Sequence, residues 1–417
     1  MRLALEFTRK QRQLIASFVV VYLLLLFFCH SNSARDPTSI FFQPDVGYRP
    51  QRSLQRIDES IQYLSTYNHS FTPHSTADLT APINNVDICI GIVTVKRPLQ
   101  QNLDQTVGSL LDGLSPAQRR RIALHLLIAE PNPADHPTYH HPWVSNVVDR
   151  VLTYDDVDAP QSTIRRLVRN KLINKKSLID YKLSLDACYD HTDAPWVMML
   201  EDDVVTQKNW YEPTMRSLDL ITEWDERDVV NDWLYLRLFY TEKFLGWNAE
   251  DWRTYLGWSV AAVLSAAVAG ITARSRRSSL RAVLTNRFLA VICLGAVPAL
   301  IALYFLSGRV TMHPMRPGIH LMNRHGCCSQ GLVFPRQKVP LLSEYMQEWA
   351  DVRHSKPVDT VIERWANENR FDRLAVSPSL MQHVGAASYK EKKKAFAWEG
   401  SHRVYGAHGV WSMSFEE

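Results

Sequence analysis

The chain has 417 residues, 46% hydrophobic and 22% charged, so most of it should fold around a real core as one large domain or two ordinary ones. Its net charge is only +4, and no run of Lys and Arg is interleaved with aromatics, so nucleic acid is not an expected partner. The short charged stretch at residues 390–394 (KEKKK) fits a solvated surface loop.

Of three charge-free stretches, the last two reach the length a spanning helix needs, about 17–25 apolar residues, and the first is at the short end. The first, 14–29, follows Arg2, Arg9, Lys10 and Arg12 and is the shortest. Without a clear small-residue cleavage site it reads as a signal anchor, with a cleaved signal peptide as the alternative. The others, 256–273 and 288–306, flank a loop that holds Arg274, Arg276, Arg277, Arg281 and Arg287 and no acid. Basic loops stay in the cytosol. The expected topology is a cytosolic tail (1–13), a lumenal stem (30–85) and a folded lumenal domain in two parts (86–255 and 307–417). A membrane hairpin (256–306) separates the two parts. Asn68 opens a glycosylation sequon on the lumenal side.

Of six cysteines, Cys29 and Cys293 lie in membrane segments. Cys89, Cys188, Cys327 and Cys328 would be lumenal, where disulfides form and three connectivities are open. The adjacent pair, Cys327 and Cys328, could close a vicinal bridge and leave Cys89 and Cys188 as buried thiols.

The stem is rich in Pro, Ser, Asn and Gln, with some helix over 51–67. Residues 86–95 (VDICIGIVTV) form a near-continuous apolar run, the signature of a strand buried on both faces. A helix is expected over 102–111, strands over 122–129 and 147–153, helix over 162–188, and a short strand over 196–200. After the hairpin, 308–312, 319–322 and 331–334 look like strands, and 340–350 and 357–369 like helices. Alternating strands and helices imply an α/β domain with a Rossmann-type parallel sheet. Ligands of such sheets sit beyond the carboxyl ends of the strands. Thr94–Arg97 and Glu201–Asp203 both follow strands and would share that crevice. No G-x-G-x-x-G follows the first strand, so a dinucleotide site is not indicated.

The segment 200–204 (LEDDV) ends an apolar strand in three acids. Carboxylates this close repel one another unless a cation neutralises them. Their hard oxygens suit Mg²⁺ or Mn²⁺, and a diphosphate could complete the coordination.

Several segments, in order, resemble one family: IVTVKR (92–97), SLIDYKLSLDACYD leading to VMMLEDDVV, WLYLRLFYTEKFLGW (233–247), HGCCSQGLVFPR (325–336), KPVD (356–359) and PSLMQHVGAAS (378–388). These resemble the three-transmembrane Golgi enzymes that add N-acetylgalactosamine to the glycan of GPI anchors. More distantly they are similar to the N-acetylglucosaminyltransferase IV enzymes. The membrane hairpin after TEKFLGW is the most specific feature, and the likeness covers about 86–388.

The resemblance implies a GT-A-like fold split by the hairpin, a UDP-sugar donor, Mn²⁺ (or Mg²⁺) and residence as a multi-pass Golgi membrane protein with a lumenal catalytic domain. The acceptor would be a GPI glycolipid or GPI-anchored protein at the bilayer surface. Carried over, Glu201, Asp202 and Asp203 stand for the family's DxD-type motif. Asp203 would bind the metal, with His383 as the extra ligand, and Asp202 would face the ribose or the metal. Val93, Thr94, Val95, Lys96 and Arg97 would line the uridine and diphosphate. Lys176 and Asp180 would face the nucleotide, and residues 326–331, including Ser329, Gln330 and Gly331, would close over the donor. The implied transfer inverts the anomeric centre and needs a base. Glu242, after a strand beside the site, is preferred to Asp359, which begins a helix and has a structural explanation there. Two other readings stay open: a lumenal N-acetylglucosaminyl- or hexosyltransferase acting on N-glycans or other glycans, and a non-enzymatic membrane receptor or scaffold.

Overall fold

A computed structural model describes residues 7–68, 81–97, 100–157, 159–324, 328–352, 354–385 and 410–417. The chain divides into two compact units. One comprises Met1–Tyr48 and Glu242–Pro314, the other Arg49–Thr241 and Met315–Glu417.

The larger unit is a mixed α/β domain. Among the described residues its main sheet has eight strands in the order β3-β2-β1-β4-β8-β6-β9-β7. These are β1 (Ile88–Thr94), β2 (Ile122–Ile128), β3 (Arg150–Leu152), β4 (Trp196–Glu201), β6 (Trp233–Arg237), β7 (Gly318–Leu321), β8 (Gly331–Pro335) and β9 (Asp372–Ser377). A two-stranded ribbon pairs β5 (Val204–Thr206) with β10 (Met381–His383). Strands β1 to β4 run parallel, as do β6 and β9. In contrast, β8 is antiparallel to β4 and β6, and β7 to β9. The expected parallel sheet is therefore mixed. Strand direction is set by where the chain re-enters the sheet, which an apolar run does not encode.

The continuous apolar run of β1 follows from burial on both faces. Ile88, Ile90 and Ile92 enter a core with α3 (Leu103–Leu111) and α6 (Tyr211–Glu226), through Val107, Leu110 and Leu218. Cys89 points the other way, into a core with α5 (Ile173–His191), α9 (Val339–Asp351) and α10 (Val358–Asn369). At Gly91 a Cβ would sit 2.5 Å from Ser184 Oγ of α5, so close packing of helix on strand requires glycine.

Before the sheet, α2 (Arg52–Ser65) forms where helix was expected and packs on α3. Its buried Arg56 donates to Ser109 O (3.0 Å) and Thr206 O (2.9 Å) and pairs with Asp112 (2.7 Å). The N-terminal amides of α2 need acceptors. Glu416 Oε2 supplies one, accepting from Gln51 N and Arg52 N (both 2.8 Å) and Ser53 N (3.2 Å).

Three boundaries differ from expectation. The helix expected over 162–188 is two, α4 (Gln161–Arg169) and α5, because Lys171 takes a left-handed conformation (φ 54°) between them. Part of 147–153 is consumed by a short helix, Pro142–Val147, leaving only β3 extended. The strand expected at 308–312 is a helical turn, Arg309–Met312. Thr38 Oγ1 accepts from Arg309 N (2.9 Å) and Asp36 Oδ2 from Thr311 N (2.7 Å), so two distant side chains cap it and override the β propensity of Val310 and Thr311.

The cysteine expectation is also corrected. Cys89 and Cys188 are not thiols: they form a disulfide joining β1 to α5, with Cα atoms 5.7 Å apart. Both lie in the same core, which brings them together across 99 residues. His125 Nδ1 lies 3.6 Å from Cys89 Sγ, but these three side chains make no metal site, because the sulfurs are bonded to each other. The Cys327–Cys328 bridge falls partly outside the described residues. Cys328 is buried and disulfide-bonded; Cys327 is not described.

Among its described residues the smaller unit holds three helices long and apolar enough to cross a membrane: α1 (Arg9–Asn32), α7 (Trp252–Arg276) and α8 (Asn286–Leu306). At one end Gln11 Nε2 donates to Val283 O (2.7 Å). At the other Ser39 Oγ donates to Leu306 O (3.1 Å) and Trp247 Nε1 to Phe305 O (3.0 Å). Trp247 packs edge-on to Tyr255 and tilted on Tyr304 there, an aromatic cluster of the kind found at membrane–water boundaries.

Candidate active site

The carboxyl ends of β1 and β4 lie side by side, since Val93 pairs with Glu201. The next residues, Thr94 to Arg97 and Asp202–Asp203, therefore meet. Thr94 Oγ1 donates to Asp202 Oδ2 (2.7 Å), and Arg97 pairs through Nη2 with Asp202 and through Nη1 with Asp203 Oδ2 (2.9 Å). Both acids are buried. Burial raises Asp202, and its neighbour Asp203 adds to that against the pull of Arg97. For Asp203 burial also acts upward, but Arg97 and His383 outweigh it and hold the carboxyl well below the usual range.

His383 reaches the site through the ribbon. It pairs with Val204, Val384 N donates to Asp203 O (2.9 Å), and His383 Nε2 lies 3.4 Å from Asp203 Oδ2. Burial lowers the His383 pKa, but Asp203 reverses that and raises it. At Gly385 an added Cβ would lie 2.2 Å from Asp203 Oδ2, so this backbone can approach the acid only as glycine. Asp203 Oδ1 and His383 Nδ1 are buried and make no hydrogen bond among the described residues. An acid oxygen and, once its ring is neutral, an imidazole nitrogen are donor types that a divalent cation takes.

Glu201 is held from β8. Gly331 pairs with Leu200, which sets Ser329 Oγ 2.6 Å from Glu201 Oε1 and Gln330 Nε2 3.1 Å from Oε2. Thr94 has a second support, from two residues that no sequence motif singles out. Gln101 Nε2 donates to its Oγ1 (3.2 Å), and His136 Nε2 lies 3.0 Å away. Thr138 N donates to His136 Nδ1 (3.2 Å), and Gln101 Nε2 also lies 3.2 Å from His136 Nε2. Burial holds His136 neutral, with its pKa lowered to about 4. Both residues sit in loops after strand ends, a positional clue without a spacing motif.

The remaining candidates are dispersed. Val93 is half-buried against the core, Val95 O accepts from Gln101 (3.3 Å), and exposed Lys96 donates its backbone N–H to Glu130 (2.7 Å). Lys176 and Asp180 form a separate buried cluster. Lys176 Nζ donates to Asp180 Oδ2 (2.6 Å) and Ala129 O (2.9 Å), and Tyr154 OH to Asp180 Oδ1 (2.6 Å). Asp359 sits in the first turn of α10, where its Oδ1 accepts from Thr360 N (2.7 Å). Glu242 belongs to the smaller unit, buried at the start of the turn Glu242–Phe244. Asn68 is exposed just beyond α2; the rest of its sequon lies outside the described residues.

No individual curated protein matches the chain. The family described as GPI-N-acetylgalactosamine transferase PGAP4 matches residues 88–382, more than half of the chain. That span holds Thr94, Arg97 and the three acids and ends one residue before His383. An α/β sheet with acids clustered at its strand ends, three membrane-length helices and this match together make the chain a member of the GPI-N-acetylgalactosamine transferase PGAP4 family of glycosyltransferases.

Proposed function

We propose that the chain transfers N-acetylgalactosamine from a UDP-sugar to the mannose core of GPI anchors, with inversion, on the lumenal face of the Golgi membrane. The observation that carries this is the buried Asp202–Asp203 pair at the joined ends of β1 and β4 in a chain of this family. Asp203 and His383 would hold Mn²⁺ or Mg²⁺, whose chemistry is to neutralise the charge of the departing diphosphate. Asp202, fixed by Thr94 and Arg97, would face the ribose or the metal. Val93 to Arg97 would line the uridine and diphosphate, Glu201 with Ser329, Gln330 and Gly331 the donor sugar, and Lys176 with Asp180 would support the nucleotide side. Inversion needs a base for the acceptor hydroxyl, and Glu242 is our assignment, ahead of Asp359.

The test is UDP release from UDP-N-acetylgalactosamine and UDP-N-acetylglucosamine, with Mn²⁺ and a GPI acceptor. The first donor should be strongly preferred. Asp203→Ala should lower turnover by about 10²-fold or more, the scale of several kcal/mol of lost charge stabilisation. Excess chelator should do the same to the unchanged chain. Full activity in the variant or in chelator would remove the metal site, and preference for the second donor would replace the sugar assignment.

A further inference from the structure

The arginine-bearing end of the membrane unit contains a groove that glycosyl transfer does not explain. One face of α7 presents Leu264, Val268 and Thr272 at i, i+4 spacing, with the small side chains of Ser265 and Ala269 as its floor. The chain then turns back through the one-turn helix Ser278–Arg281, so that Leu280 closes the far side. The groove has a volume of about 710 Å³, within the range of small-molecule sites. It is not the face that packs in the bundle. That face carries Gly270, whose added Cβ would lie 2.5 Å from Leu289 of α8. Leu264 and Val268 are instead 59% and 62% exposed, as walls that meet lipid would be.

Charge identifies the occupant. Arg276 and Arg277 line the groove where α7 ends, and neither has an ion pair among the described residues. Arg274 is engaged with Asn286 and Leu284 O. No Asp or Glu occurs anywhere between Asp251 and Glu344. Gln11, bonded to Val283 O and Thr285 Oγ1, brings the start of α1, with Arg9, Lys10 and Arg12, to the same end. A second helix seated in the groove would have to bring acids of its own, and this chain has none in its membrane segments to offer. A zwitterionic lipid would leave the arginines uncompensated.

We propose that the groove binds one anionic glycerophospholipid of the leaflet around this end, with an acyl chain along α7 and the phosphate at Arg276 and Arg277. Each basic residue near an anionic headgroup contributes enough that losing two weakens binding about thirty-fold. The test uses the full chain, delipidated in detergent and titrated with phosphatidylglycerol or phosphatidylcholine, with bound lipid counted by native mass spectrometry. Phosphatidylglycerol should bind at least about tenfold more tightly. Arg276→Gln with Arg277→Gln should remove that preference. Arg276→Lys with Arg277→Lys should retain most of it, which separates lost charge from lost folding. Ala269→Phe, which fills the groove and keeps every arginine, should also abolish it. Excess inorganic phosphate should not displace the lipid. Equal binding of both lipids, an unchanged preference in the glutamine pair or in Ala269→Phe, displacement by phosphate, or a dimer that excludes lipid would each overturn the proposal.

Discussion

Adjacent buried carboxylates are costly, and the side chains around Asp202 and Asp203 show how the cost is met. Arg97 spans both, Thr94 donates to one, and His383 faces the other. The acids were legible because an apolar strand ending in three of them is rarely neutral in meaning. Arg97 was legible as the end of the strand beside it. Gln101 and His136, which steady Thr94, were not, because they come from loops and their partner is fixed only once β1 and β2 are adjacent. Two substitutions test the assignment of the base. Glu242→Gln keeps side-chain size and removes proton-accepting power, so turnover should fall by about 10²–10⁴-fold with UDP affinity unchanged. Asp359 already has structural work in the first turn of α10, so Asp359→Asn should cost only the ~1 kcal/mol of a weakened helix start. Acceptor-dependent UDP release and UDP binding, measured on both variants, decide between them. The reverse ranking would move the role to Asp359.

At the scale of elements, periodicity and apolar runs located most strands and helices to within a few residues. It failed where distant groups decide the local conformation, as at Arg309–Met312, capped by Asp36 and Thr38. It also failed where direction matters, as for β8, whose apolar sequence is compatible with either orientation. The cysteines belong to the same class. Adjacency of Cys327 and Cys328 was visible in the sequence, whereas the contact of Cys89 with Cys188 exists only after α5 packs on β1. Closing a loop of that length restricts the unfolded chain strongly. Cys89→Ala with Cys188→Ala should therefore lower stability by about 2–5 kcal/mol. The drop should appear in denaturant unfolding of the larger unit, and reductant should reproduce it in the unchanged chain. A loss below about 1 kcal/mol would mean that the bridge only decorates a core already fixed by packing.

For the whole molecule, the decisive fact is where the membrane segment interrupts the chain. The sheet unit is left at Thr241 and resumed at Met315, and strands from both sides of the interruption pair, β4 with β8 and β6 with β9. The three membrane segments were legible from length and missing charge. Both parts of the interrupted domain contribute strands to one sheet. Among the described residues, the sheet's cores draw only on residues of its own unit. Removing 256–306 and joining the ends with a short soluble linker should therefore leave that core and the Asp202–Asp203 cluster intact. What it takes away is the membrane pair α7 and α8. Hydrolysis of the UDP-sugar by water needs only the donor site, whereas transfer to a GPI glycolipid needs the acceptor brought to it. The shortened chain should keep most of its hydrolysis and lose transfer to a GPI acceptor in vesicles by about tenfold or more, the size of effect expected when a positioning contribution is withdrawn. A soluble acceptor glycan should be used equally well by both chains if the hairpin acts through the membrane. Equal loss of hydrolysis and transfer would show instead that the hairpin is required for the sheet unit to fold.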